Sequence, residues 1–147
     1  MKANELRIGN LVKVDNLEYH PKLKEIPFVV TGITEAVGFE NERTHTIGID
    51  HINKKPNTYY PSYSQLIQFI KPIPLTEEML LSFGLYVNFE NEAGKIYKFR
   101  EKDELIDYPI LAKKDEPIKF RKREIYLHDL QNIYFALTGK ELNIIIS

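Results

Sequence analysis

The stretch KPIPLTEEMLLSFG, residues 71–84, divides the chain into two halves of different character. Two prolines, Pro72 and Pro74, require extended backbone and disfavour helix at the residues before them. Thr76 then has the side chain of an N-cap, and the two glutamates after it favour the positive end of a helix. Gly84 is suited to a left-handed C-cap. The stretch therefore predicts an extended linker followed by a helix of about two turns.

Upstream of this linker, residues 1–71 are predicted to form strands. Short runs rich in β-branched residues occur at 11–14, 27–34 and 44–52, and a further strand at 67–70 is expected after a 3₁₀ turn. Several short strands closely spaced along the chain, with turn glycines among them, are typical of a small barrel. We therefore predict an SH3-like β-barrel domain over residues 1–71.

Downstream, residues 72–147 are predicted to form an α+β unit of order αββ-β-αβ with two short helices. Alternating side chains indicate a hairpin of strands at 85–89 and 96–99. The second helix is expected over 128–138, ended by a glycine, because apolar residues recur there with helical spacing: Leu130, Ile133, Tyr134 and Leu137. We expect the remaining strands at 118–127 and 143–146. The chain as a whole is predicted to be α+β, with the second unit packed on the barrel; the alternative is that the two form one continuous domain.

Composition excludes several classes of protein. With 43% hydrophobic residues and a net charge of -1, the chain can form a core and has no global attraction to nucleic acid or anionic membranes. Because it has no cysteine, disulfides, iron–sulfur clusters and thiolate zinc sites are excluded. The sequence contains no apolar run of the roughly 18–20 residues that span a bilayer, and residues 1–10 lack the apolar segment of a signal peptide. We expect a cytoplasmic protein with no membrane association and no cofactor.

Three short blocks of sequence occur in a fixed order: ELRIGN at 5–10, PIPLTEE at 72–78 and LQNIYFALTGKEL at 130–142. Together they resemble a family of small proteins, without an assigned activity, from Bacteroides-type bacteria and their phages. The resemblance implies a bacterial protein carried on a mobile element, and it implies no particular chemistry.

The main concentration of positive charge is KFRKR at 119–123. On a strand, Lys119, Arg121 and Arg123 would form a row about 13 Å long on one face. Such a row could follow a phosphate backbone while Phe120 stacks on a base, which makes these four residues candidates for nucleic-acid binding. The alternative is a solvated sheet face whose charge opposes aggregation.

The densest aromatic segment contains Tyr59, Tyr60 and Tyr63. Exposed tyrosines are favoured in recognition surfaces because they bury a large area with few rotatable bonds. These three residues are therefore candidates for binding a protein partner. The alternative is that they belong to the core or rim of the barrel.

No combination of residues in the sequence predicts catalysis. The four histidines lack the spacing of metal ligands, and the acidic run at 101–104 is contiguous and contains a lysine, which favours a solvated loop. Nucleophile motifs and glycine-rich phosphate-binding loops are missing from the sequence. We therefore predict no catalytic, metal-binding or cofactor-binding residue.

The function that these patterns favour is a non-enzymatic binding or accessory protein of phage or mobile-element origin, with a protein as its first expected ligand. Three alternatives stay open. The first is a nucleic-acid-binding protein that uses the basic run, the second is an enzyme with an unfamiliar site, and the third is a structural subunit of a phage assembly. The oligomeric state is undetermined by the sequence.

Overall fold

The computed structural model describes residues 1–15, 26–38, 40–52, 63–101 and 104–144. The chain forms two compact units, Met1–Ile73 and Pro74–Ser147, which divide two residues beyond the predicted boundary. Among these described residues each unit contains a five-stranded antiparallel sheet, and the two α-helices belong to the second unit, so the protein is α+β. In the described part of the chain, no helix is long and apolar enough to cross a bilayer.

The sheet of the first unit has the strand order β4-β3-β2-β1-β5. Its strands are β1 (Leu11–Val14), β2 (Phe28–Val37), β3 (Arg43–His51), β4 (Tyr63–Leu66) and β5 (Ile70–Lys71). The first three lie where the β-branched runs predicted them. The 3₁₀ turn falls at Ile67–Phe69, where a strand was predicted, and β4 occupies most of the segment predicted to be that turn.

Apolar side chains from these strands form the core of the first unit. It contains Leu6, Val12, Phe28, Val30, Ile47, Ile49 and Ile70, each at most 8% exposed. Ile47 and Ile49 are two residues apart on β3, so both point to the inner face. In the described pairings β4 and β5 are the two edges of an open sheet, so the closure expected of a barrel is not established.

A turn at residues 7–10 joins the N-terminal segment to this sheet. Gly9 has a φ of 94°, and its N–H donates to the carbonyl of Val30 at 2.8 Å. Asn10 is fully buried, and its Oδ1 accepts the Arg7 N–H at 2.8 Å. The block ELRIGN therefore has a structural explanation, since glycine provides the positive φ and asparagine satisfies a backbone donor.

The sheet of the second unit is an antiparallel meander in the order β10-β9-β8-β7-β6. Helix α1 (Glu77–Ser82) precedes it and α2 (Leu127–Thr138) follows it. Its strands are β6 (Tyr86–Asn91), β7 (Gly94–Glu101), β8 (Glu104–Ala112), β9 (Lys119–Phe120) and β10 (Arg123–Glu124).

Both helices lie on the same face of this second sheet. The hydroxyl of Tyr97 donates to Glu77 at the start of α1 at 2.8 Å, and the ring of Phe99 lies 5.3 Å from that of Tyr134 in α2. Tyr97 and Phe99 are two apart on β7 and therefore point to one side. We call this side the helix-covered face.

The predicted helix ends are confirmed. The Oγ1 of Thr76 accepts the Met79 N–H at 3.2 Å, and Gly84 and Gly139 have φ values of 87° and 72°. Both glycines follow a helix and have the left-handed conformation that ends one at low cost.

The predicted apolar stripe of α2 is confirmed at Leu130, which is fully buried, and is wrong at Leu137. The buried positions of this helix are Leu127, His128, Leu130 and Gln131, whereas Leu137 is 47% exposed. The N-terminal half of the helix is therefore its more deeply buried half, and periodicity alone does not specify which turns are covered.

Two predicted strands are wrong. Residues 118–127 form the short hairpin of β9 and β10 and the first residue of α2 instead of one long strand. At the C-terminus, residues 143 and 144 are not in a strand, and the rest of the strand predicted there lies outside the described residues.

Candidate functional site

The basic run forms the tip of a β-hairpin, which we call the basic hairpin (residues 119–124). β9 and β10 are joined by Arg121 and Lys122, whose φ values are 48° and 67°. A two-residue hairpin turn with positive φ at both central positions is a type I′ turn, which favours Asn-Gly. Two long basic side chains therefore occupy positions that their backbone preferences disfavour.

This feature distinguishes the basic hairpin from the other turns with positive φ. Among the described residues, the remaining non-glycine residues with positive φ are Asn41 and Asp115. Asparagine and aspartate are the residue types that adopt this conformation most easily, because their short side chains bond the local backbone. Arginine and lysine have no such compensation, so the positive φ of Arg121 and Lys122 makes the folded turn less stable than it would be with asparagine or glycine.

The register of the hairpin corrects the predicted row of cations. Lys119 pairs with Glu124, and Phe120 pairs with Arg123. Directly paired residues share a face, and neighbours along a strand point to opposite faces. Lys119 and Arg123 therefore lie on opposite sides of the sheet, with Arg121 in the turn between them. The single row predicted for an unbroken strand does not form, and the positive charge is gathered at the hairpin tip.

An aromatic pair supports the hairpin on the side of Arg123. The rings of Tyr108 in β8 and Phe120 in β9 are stacked, with centroids 3.8 Å apart and an angle of 17° between their planes. The guanidinium of Arg121 lies 5.1 Å from the centroid of the Phe120 ring. Burial raises the pKa of the Tyr108 phenol, an effect that the positive charge of Arg121 opposes. The phenol is therefore neutral near pH 7, and the pair is an uncharged support beneath the cations.

The cations of the tip are open to solvent. Arg121, Lys122 and Arg123 are exposed, whereas Lys119 and Phe120 are half-buried. Within the part of the chain that the structure describes, none of the three exposed cations forms an ion pair within 4.0 Å. The tip therefore presents positive charge that is not neutralised by close contact with a carboxylate.

The tyrosine candidates are placed only in part. Tyr59 and Tyr60 lie outside the described residues, and Tyr63 begins β4, where its backbone pairs with Ile49. Nothing in the described structure brings this segment to a binding surface, so its role in contacting a partner stays a prediction.

The acidic run at 101–104 was predicted to be a solvated loop, but Glu101 takes part in a tertiary contact. Its carboxylate accepts the Tyr134 hydroxyl at 2.7 Å and pairs with Lys140 at 2.5 Å. The hydrogen bond to Glu101 raises the pKa of Tyr134. These contacts hold the end of β7 against the C-terminal part of α2. The sequence did not predict this role of Glu101, because its partners are more than 30 residues away in the chain.

A shallow groove of about 470 Å³ lies beside the β6–β7 turn, and sequence reasoning did not predict it. Its walls carry both signs of charge, with Lys95 3.6 Å from Glu77, and with Lys113 near Glu116. Oppositely charged side chains here offset one another. Four glutamates and three lysines line the groove, so it has no strong concentration of one charge that would select a ligand.

Histidines do not form a metal site in the described structure. His45 and His51 lie on β3, with His51 against the ring of Phe28 at 5.2 Å, and His128 is buried in α2 with its Nε2 3.4 Å from Asp129. Among the residues described, no group of three or more histidine or acidic side chains is placed to hold a metal ion.

Comparison with protein-family models, with curated proteins and with solved structures found no match for this chain. The function must therefore be argued from the chemistry of the surface. The feature that stands out is the basic hairpin, where exposed cations lie on a rigid aromatic support.

Proposed function

We propose that this is a non-catalytic nucleic-acid-binding protein that contacts phosphates through the basic hairpin. The observation that carries the proposal is the pair of basic residues, Arg121 and Lys122, held at positive φ in an exposed turn. Backbone strain that packing does not repay is typical of functional sites. Since neither side chain is buried, the strain is most simply explained by a need for charge at the tip.

The shape of the site favours an extended polyanion over a small anion. A hairpin tip is convex, whereas small ligands bind in concave pockets that surround most of their surface. A convex, positively charged ribbon can instead lie along a phosphate backbone or enter the major groove, which admits a two-stranded ribbon. Nucleic acid is the ligand whose chemistry matches this shape and charge.

The firmness of the tip also supports the proposal. Phe120 is stacked on Tyr108, and β9 pairs with β8 through Lys119 and Leu111. The turn is thus fixed to a large sheet at its base. Cations that are already positioned lose less conformational entropy on binding than cations on a disordered tail.

The finer architecture of the first unit is also a proposal. The strand order, in which β5 returns beside β1 after a 3₁₀ turn, supports an SH3-like barrel. Small barrels are common binding modules, which is consistent with an accessory role but does not specify a ligand.

We also propose that the protein is bacterial, that its gene is carried on a mobile element, and that it is located in the cytoplasm. The bacterial, mobile-element origin rests on the resemblance of the three sequence blocks, and the cytoplasmic location follows from the nucleic-acid ligand proposed above. Sequencing the genes that flank this one tests the origin, and flanking genes of chromosomal housekeeping type would contradict it.

The experiment is a binding titration with labelled single-stranded and duplex oligonucleotides at several salt concentrations. We expect the affinity to fall steeply with salt, and the variant Arg121→Ala with Arg123→Ala to bind about 10- to 100-fold more weakly. Its log–log salt dependence should decrease by about 1.4 to 1.8, since each phosphate contact contributes about 0.7 to 0.9.

The matched control is Arg43→Ala with Lys71→Ala, which removes the same charge from exposed positions in the first unit. This control should retain the affinity of the wild type. Equal weakening by both variants would mean that net charge alone matters, and binding that is absent or independent of salt would overturn the proposal.

A further inference from the structure

The side of the second sheet opposite α1 and α2 carries exposed aromatic rings. On β7, Ile96, Lys98 and Arg100 alternate with the two aromatic residues that contact the helices, so they point away from the helix-covered face. On the edge strand β6, Tyr86 pairs with Lys98 and Phe89 pairs with Ile96, which places both rings on this second side.

A row of paired residues crosses all five strands on this side. In order from β6 to β10 it contains Phe89, Ile96, Leu111, Lys119 and Glu124. The row therefore runs from an exposed ring at one edge of the sheet to the base of the basic hairpin. Three strand spacings separate Phe89 from Lys119, a distance of about 14 Å.

We call this surface the aromatic face and define it by Tyr86, Phe89, Ile96, Lys98, Arg100 and Lys119. Its rings are accessible, because Tyr86 is 45% exposed and Phe89 is 52% exposed. The guanidinium of Arg100 lies 4.5 Å from the centroid of the Tyr86 ring. The surface thus offers aromatic and guanidinium planes close together, both of which stack on nucleobases.

The charges of the aromatic face favour an anionic ligand. Lys98 is paired with Asp107 at 3.1 Å, and Lys119 lies opposite Glu124, which leaves Arg100 as an exposed cation beside the rings. Lys119 also belongs to the basic hairpin, so the aromatic face reaches the base of the hairpin, whereas Arg123 lies on the opposite side of the sheet. A chain with flat bases and a charged backbone fits this alternation of rings and cations.

We propose that the aromatic face binds single-stranded nucleic acid, with bases stacked on Tyr86 and Phe89 and with the backbone leading past Lys119 to the hairpin tip. This inference rests on the proposed function and specifies its ligand. Bases in a duplex are stacked on one another and cannot lie flat on a sheet, so the aromatic face distinguishes single strands from duplexes.

The experiment compares a labelled oligothymidine with a duplex of mixed sequence, using the full chain and the variants Tyr86→Ala and Phe89→Ala. We expect the wild type to prefer the single strand, and each variant to weaken that binding about 5- to 100-fold with little effect on the duplex. An oligonucleotide containing 2-aminopurine adds a direct measure, because its fluorescence decreases when the base stacks on a ring.

Three control variants separate stacking from folding. Phe89→Tyr keeps the aromatic plane and should retain affinity, whereas Phe89→Leu keeps apolar bulk without the plane and should lose it. Leu137→Ala removes an exposed apolar side chain from α2, away from the aromatic face, and should have no effect.

The outcomes distinguish the two proposals. Weakening of single-strand binding by both the aromatic and the hairpin variants supports both. If the hairpin variants weaken binding while Tyr86→Ala and Phe89→Ala do not, the aromatic face is not a nucleic-acid surface and the proposed function stands. If neither the wild type nor any variant binds either oligonucleotide, both proposals are wrong. In that case, capture of a protein partner by the wild type but not by Phe89→Ala would assign the aromatic face to protein contact.

Discussion

The turn at residues 7–10 and the tip of the basic hairpin both require backbone with positive φ, but they meet the requirement in opposite ways. In the first turn, Gly9 adopts a φ of 94° and the neighbouring Asn10 is fully buried and hydrogen-bonded. In the second, Arg121 and Lys122 adopt φ values of 48° and 67° and are exposed. In the first turn the residue at positive φ is a glycine, which adopts that conformation easily; in the second turn it is an arginine and a lysine, which do not.

The difference separates structural turns from candidate functional ones. A residue that matches its backbone and packs inside the molecule is explained by stability alone. An exposed residue that opposes its backbone needs a reason beyond the stability of the turn, because a more stable alternative such as Asn-Gly exists. The predictions below test whether the turn at residues 7–10 is structural and the tip of the basic hairpin is functional.

The largest effect is expected at the structural turn. Asn10→Ala should lower the free energy of unfolding by about 2–3 kcal/mol, because the Arg7 N–H loses its acceptor and a small cavity is left. Urea unfolding measures the change, and Asn88→Ala at an exposed position of β6 is the control that should alter stability little. Nucleic-acid affinity of the folded variant should be unchanged, and a large loss of affinity would assign this turn a role in binding.

A partly buried polar contact in the second unit, the hydrogen bond from Tyr97 to Glu77, is also explained by stability alone. Burial, followed by the hydrogen bond to Glu77, raises the pKa of Tyr97 from 10.0 to about 12. Below pH 10 the phenol is neutral in the folded and the unfolded state, and its full contribution to the free energy of unfolding is present. As the pH rises from 10 through 12, the phenol ionises first in the unfolded state, so this contribution to stability is lost.

Unfolding experiments from pH 8 to pH 12 should therefore show that the wild type loses about 2 kcal/mol more than Tyr97→Phe. The variant lacks the titrating hydroxyl but keeps the ring, which makes it the reference for all other groups that titrate in this range. Parallel pH profiles for the two proteins would mean that folding does not raise the pKa of Tyr97.

The smallest change in stability, and the sharpest test of the comparison, concerns the hairpin tip. Arg121→Asn with Lys122→Gly should raise the free energy of unfolding by about 1 kcal/mol, because the new residues accept positive φ. The same variant should bind nucleic acid more weakly, because two cations are removed. Thermal unfolding and the salt titration measure these opposite changes.

The control for this variant is Arg121→Ala with Lys122→Ala, which removes the same charges but keeps side chains that oppose positive φ. It should lose affinity without gaining stability. If the Asn-Gly variant bound as tightly as the wild type, the charge at the tip would not explain the strain, and the proposed function would lose its main support.

Local signals predicted the parts of the fold that depend on neighbouring residues. Strands β1 to β3, the N-cap at Thr76 and the C-cap at Gly139 were predicted because each rests on propensity or capping chemistry within a few positions. The basic hairpin was missed because Arg-Lys lacks the glycine or asparagine by which a two-residue turn is recognised.

Strand β8 was not among the predicted strands, for a related reason. Pro109 opposes a strand assignment, yet it lies where the register between β7 and β8 shifts, between the pairs formed by Tyr97 and Phe99. A proline is tolerated at such an irregularity because no ladder hydrogen bond is required of it there. The irregularity is a property of the paired strands and is not visible in either strand alone.

The sequence by itself determined the α+β class, the position of the linker, the ends of both helices and the concentration of cations at 119–123. Only the tertiary structure decided that these cations gather at a hairpin tip, that Glu101 reaches across to α2, and that Tyr86 and Phe89 share a face with Lys119. The physical reason is the range of the interactions. Caps and propensities act over a few residues, whereas strand register and helix coverage are set by residues that are distant in the chain.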